Sequence, residues 1–220
     1  MRIQLATAAV VVLLVGCGSS SASTSPPSTS SSTTSDVHPG TVSCGPAEAR
    51  TLAASGVARV YALNDRVYGC SERSPARSYQ LGDSSFCNGG GRAGPVAVAE
   101  QLVAYGLERC GVDTGTSVVA LRRMTDGRVL GELPALTGLP APESYAQVTA
   151  VLATPAGAVA WIALASSIVR HTRIVEVHEY VHQRTELLDS GPAIGPGSLR
   201  LRGTRLSWQH GSTQRHATFG

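Results

Sequence analysis

The chain has 220 residues and a formal net charge of +3, small for its length. All 18 of its Lys or Arg side chains are arginine, and they are scattered along the chain, so no run of like charge points to nucleic acid or to an anionic lipid surface. The length suits one domain with a substantial core.

In chain order, the first segment has Arg2 as its only early charge, followed by an apolar run from Leu5 to Val15. A stretch of eleven residues is too short to span a bilayer as a helix, which takes about 20. The run therefore reads as an export signal over residues 1–16. It ends in Leu14-Val15-Gly16-Cys17, which resembles a bacterial lipobox. That resemblance implies cleavage before Cys17, acylation of its thiol, and a chain anchored to the cell membrane on its extracytoplasmic face. Residues 17–41 are dominated by Ser and Thr with Pro26 and Pro27, too polar to fold around a core, and read as a tether.

The folded part is expected over residues 42–220. Without Cys17 four cysteines remain, Cys44, Cys70, Cys87 and Cys110, an even number in an exported chain. Two disulfides are expected; four cysteines allow three connectivities, and order along the chain favours Cys44 with Cys70 and Cys87 with Cys110. No Cys-x-x-Cys pair is present to suggest zinc.

Ala47 to Ala54 reads as one short helix or turn. Beyond it the pattern is alternating: Val57–Leu63, Val67–Ser71, Val96–Ala99, Leu102–Leu107, Ser117–Met124, Val148–Ala153, Ala158–Leu164, Arg173–Val181, Leu199–Arg202 and Arg205–Trp208 are short apolar or β-branched runs bounded by Gly, Pro, Asn or Asp. An all-β domain follows.

The runs also repeat as strand, tight turn and second strand ending on an aromatic, at Tyr68, Tyr105, Trp161 and Trp208. Ser117–Arg128 and Arg173–Arg184 stand at the same offset beyond Tyr105 and Trp161 and make those two units four-stranded. Intervals of roughly 40 to 55 residues are the period of propeller blades. About four units are expected, the terminal ones truncated, with a β-sandwich or barrel as the alternative fold. The units resemble those of WD-type and related β-propellers, although no Trp-Asp dipeptide is present. The region from Cys44 onward resembles secreted actinobacterial lipoproteins of unknown function.

Two short motifs have the look of catalysis. His178-Glu179-Tyr180-Val181-His182 matches the zinc-hydrolase pattern H-E-x-x-H, whose imidazoles converge only on a helix. Here it follows the β-branched run Arg173-Ile-Val-Glu-Val, and on a strand residues four apart are too far separated to share an ion easily. Val112-Asp113-Thr114-Gly115-Thr116-Ser117 resembles the active-site turn of aspartic proteases, which need two such aspartates sharing a proton. The chain holds one copy, so that reading requires a homodimer, with Val129-Leu130-Gly131 or Ala193-Ile194-Gly195 as the accompanying apolar-apolar-Gly element. Cys87-Asn-Gly-Gly-Gly-Arg92 lacks the Lys-Ser/Thr of a phosphate loop. Asp189-Ser190-Gly191 has no Gly-x-Ser-x-Gly around it, and His171, His210 and His216 read as isolated surface groups.

The sequence reading is thus a lipid-anchored binding or scaffolding module for an unknown protein or small-molecule ligand. It assigns no catalytic residue, metal, cofactor or nucleic-acid partner. The rival is a hydrolase, either an aspartic-protease-like homodimer acting through Asp113 or a zinc hydrolase acting through His178 and His182.

Overall fold

The alternation in the sequence becomes extended chain throughout. A computed structural model describes residues 44–85, 91–110, 115–138, 144–167 and 171–220, and every regular element among them is a β-strand. The strands fall into four antiparallel meanders. The first is β1 (Arg50–Ala54), β2 (Ala58–Leu63), β3 (Arg66–Ser71) and β4 (Ser78–Asp83). The second is β5 (Arg92–Ala99), β6 (Leu102–Cys110), β7 (Gly115–Arg123) and β8 (Val129–Pro134). The third is β9 (Ser144–Ala153), β10 (Val159–Ser167), β11 (Thr172–Val181) and β12 (Arg184–Ser190). The fourth has only β13 (Arg200–Arg202), β14 (Arg205–His210) and β15 (Thr213–Thr218).

The first three meanders join into one open, mixed sheet of 12 strands, and the fourth is a separate sheet. The joins are slight. One parallel pair, Asp83 with Arg92, links β4 to β5, and another, Gly115 with Tyr145, links β7 to β9. What holds the meanders together is the apolar faces between them, because a meander has two faces and burying both needs a neighbour on each side.

Four clusters supply that burial. Val60 and Val67 of the first meander meet Val103, Tyr105 and Met124 of the second. Ala104, Val119 and Leu121 of the second meet Val151, Val159 and Trp161 of the third. Ile162, Val175 and Val177 of the third meet Leu206, Trp208 and Phe219 of the fourth. A small fourth cluster, Cys44, Ala49, Tyr61 and Cys70, covers the other face of the first meander. Close approach is built in where it is needed: a Cβ at Gly106 of β6 would lie 2.7 Å from Val148 Cβ of β9, so a side chain there would push the second and third meanders apart.

Several sequence expectations are corrected. Ala47 to Ala54 is not helical; a short turn leads into β1, whose Thr51 and Ala53 pair with Tyr61 and Val60. The first unit is therefore a full four-stranded meander rather than a truncated one, and the last has a third strand, β15. Counting β1 also moves the repeat by one strand. The ring on the second strand of each meander is Tyr61, Tyr105, Trp161 and Trp208, all at least 96% buried and each in a different cluster. Tyr68 is the cross-strand neighbour of Tyr61, stacked on it with centroids 5.6 Å apart.

Hairpin chemistry explains the tight turns. Asn64 and Asp65 take φ of 48° and 60°, and His182 and Gln183 take 50° and 63°, the paired positive values of a type I′ turn matched to strand twist.

Candidate functional site

The H-E-x-x-H segment lies on β11 and the turn after it. His178 is opposite Trp161 in the β10–β11 register, and the two rings stack with centroids 5.0 Å apart and planes 10° from parallel. His182 is in the hairpin turn and therefore away from that ring. The helix that zinc hydrolysis requires is replaced by a strand, as the β-branched run before the motif predicts.

What His178 does instead is structural. It is 1% exposed, and its Nε2 lies 2.8 Å from Glu176 Oε2 on the same strand face two residues away. Glu176 also accepts from the Thr137 backbone N–H and hydroxyl, each at 2.8 Å. Burial pushes the Glu176 carboxyl up, but these bonds outweigh it and hold it below the usual carboxylate value. Burial pushes His178 down, with Glu176 opposing in part. His178 Nδ1 has no partner, so a proton added there would be a buried donor with nothing to accept it. Nε2, which faces the carboxylate, is thus the ring nitrogen placed to hold a proton, and burial favours the neutral ring. Beside it, Trp161 Nε1 donates to the Ala135 carbonyl at 2.9 Å. Ala135 and Thr137 follow β8, so this cluster fastens the third meander to the end of the second.

The next junction repeats the device in other residues. Asp189 of β12 accepts from Trp208 Nε1 at 2.7 Å and pairs with His210 Nδ1 at 2.9 Å. Burial raises the Asp189 carboxyl, and the bonds from Trp208 and His210 lower it further than that, for a net fall. His210 is thus not an isolated surface group, and Asp189-Ser190-Gly191 has a histidine paired to its acid. Glu176 carried one sequence signal, its i, i+2 spacing to His178 on one strand face; Asp189 stood out only in Asp189-Ser190-Gly191, with no spacing that pointed to His210.

Glu179, the would-be general base, faces away from His178 and sits directly opposite Glu186 across the β11–β12 ladder. Burial and that second carboxylate push it up. Among the described residues no three His, Cys, Asp or Glu side chains gather as a metal cage. Asp113, Cys17 and Cys87 lie outside the described residues. Of the apolar-apolar-Gly candidates, Val129 and Leu130 of β8 are about half exposed, while Ile194 is buried and bridges to His210. The Cys44–Cys70 disulfide is formed, and Cys110 is disulfide-bonded as well. Arg92 of the Gly-rich stretch forms a two-pronged ion pair with Glu108.

Open grooves lie among the described residues, and two bear on binding. One, of about 320 Å³, is mainly apolar and lies between Leu102, Leu121, Leu130 and Leu133 on one side and Tyr180 and Val181 on the other. The other, of about 390 Å³, lies on the outward face of the fourth meander and is lined by Arg200, Arg202, Arg205, Ser207, Gln214 and His216. Here the scatter of arginine along the sequence is misleading, because strand alternation brings three of them to one face.

The chain matches no protein-family model and no curated protein.

Proposed function

We propose that this chain is an exported lipoprotein, acylated at Cys17, whose domain over residues 42–220 is a four-bladed propeller-like binding or scaffolding module. Residues 17–41 tether it to the extracytoplasmic face of the cell membrane. The observation that carries the reading is the repeated meander with its equivalent buried ring, Tyr61, Tyr105, Trp161 and Trp208, each packed in its own cluster. An array of this kind is a rigid frame whose hairpins and end faces are free to bind. The Cys44–Cys70 disulfide supports an oxidising compartment.

The test is the mass of the mature protein recovered from a bacterial membrane fraction. The expected N-terminal peptide begins at Cys17 and carries acyl chains, and Cys17→Ser moves the protein to the soluble extracytoplasmic fraction. A wild-type protein recovered soluble, with an unmodified N-terminus, overturns the anchor.

A further inference from the structure

We infer that the groove on the fourth meander is a binding site for phosphoryl groups, on one ligand or on adjacent headgroups, that together carry at least two negative charges. The inference rests on the binding-module reading above but is independent of acylation.

The chemistry starts with sequence. From Leu199 to Gly220 the chain has four arginines and no carboxylate, more positive charge than the net +3 of the whole protein. Alternation then selects the face. Leu206 and Trp208 of β14 point into the apolar cluster shared with the third meander, so Arg205 and Ser207 point outward. The register sets Arg200, Ser207 and His216 in one row across the three strands, and Arg202, Arg205 and Thr218 in the next.

The pair Arg202 and Arg205 is the informative one. Two like charges directly opposite in an antiparallel ladder repel each other and lower stability. Three arginines on other strands meet carboxylates, Arg92 with Glu108, Arg109 with Glu132 and Arg123 with Asp126, and Arg59 and Arg122 give their guanidinium groups to backbone carbonyls. Neither Arg202 nor Arg205 has a carboxylate partner among the described residues. Arg200 gives one nitrogen to the Gly197 and Leu199 carbonyls, which fixes its stem and leaves the rest of the guanidinium available. A polar end face is enough to keep a repeat array soluble, and charges of both signs would do that without the repulsion that adjacent arginines carry. Guanidinium groups match phosphoryl oxygens two bonds at a time, and Ser207, Gln214 and His216 add hydrogen-bonding groups along the same groove. An anion bridging the two rows would remove the repulsion that the unliganded face carries.

Phospholipid headgroups and soluble phosphoryl compounds share this chemistry. The experiment uses the full chain carrying Cys17→Ser, so that no anchor contributes, and an Arg202→Gln/Arg205→Gln version of it. Inorganic pyrophosphate is titrated calorimetrically, vesicles of phosphatidylglycerol are compared with phosphatidylcholine by co-sedimentation, and a polyglutamate peptide is the competing anion. The expected result is binding of pyrophosphate, of phosphatidylglycerol vesicles, or of both, weakened about tenfold or more in the double variant and by added salt. Pyrophosphate alone assigns a soluble ligand, and vesicles alone assign a headgroup. Binding of neither probe, equal binding by the double variant, or tighter binding of polyglutamate overturns the site. Because the double variant removes a repulsion, its urea midpoint is expected at or above that of its parent, which separates lost binding from lost folding. Acylation of Cys17 is read separately by mass, so either conclusion can fail without the other.

Discussion

The two end faces of the meander array treat arginine in opposite ways. On the first meander Arg59 is 8% exposed, and its guanidinium donates to the Thr51 hydroxyl and to the carbonyls of Cys44, Pro46 and Ala49. It also lies over the Tyr61 ring, 5.3 Å from the centroid. A buried cation is tolerable only when its donors are satisfied, so Arg59 serves as the template on which the 44–49 segment folds down as a cover. On the fourth meander Arg200, Arg202 and Arg205 are exposed, and no segment among the described residues covers them. The difference teaches that a terminal face of this fold can be closed by its own chain or left open, and that Arg202 and Arg205, which meet neither a carboxylate nor a cover segment among the described residues, mark the open one.

That contrast can be broken. Arg59→Met would leave the carbonyls of the cover segment without a donor and is expected to cost about 3–4 kcal/mol in urea unfolding; a loss under about 1 kcal/mol would mean the cover holds without it. Replacing Cys44 and Cys70 together by Ala, which reopens a loop between positions 26 residues apart, is expected to cost about 3 kcal/mol. A change confined to the Cys44–Leu63 region, read by amide exchange, would localise that loss to the covered end.

The histidine–carboxylate junctions sharpen the same comparison by acidity. Glu176 and Asp189 both have folded values below their unfolded ones, so each adds stability above about pH 4 that is lost as pH falls through the folded value. His178 is also lowered, so the unfolded chain binds its proton first and stability begins to fall below about pH 6.5. Urea midpoints should therefore decline from pH 7 toward pH 3, and Glu176→Gln should flatten the acid part of the curve; an unchanged profile would remove Glu176 as a contributor. The smallest effect has the opposite sign. Arg202→Gln is expected to raise stability by about 0.5 kcal/mol at low salt, with the gain fading as salt is added.

How much of this was legible depends on burial. Strands that bury one face announce themselves: Arg205-Leu-Ser-Trp208 and Arg173–Val181 alternate, and both were readable. β15, Thr213–Thr218, has Ala217 as its only apolar side chain and left no pattern to read. β1 was misread because Ala and Leu at 52–54 suit a helix, and only pairing to β2 overrides that propensity. The strand conformation of the H-E-x-x-H segment was visible in its flanking residues, whereas the basic groove was not, since it assembles from three strands and exists only once their register is set.

The Cys44–Cys70 bond has a mechanical consequence. A pull on the chain ahead of Cys44 would otherwise act on β1, an edge strand, and unzip it from β2 one hydrogen bond at a time. The disulfide passes the load to β3, which is bonded on both sides, so force is shared between two ladders at once. A protein held by its N-terminal end could thus be tugged without losing its first meander.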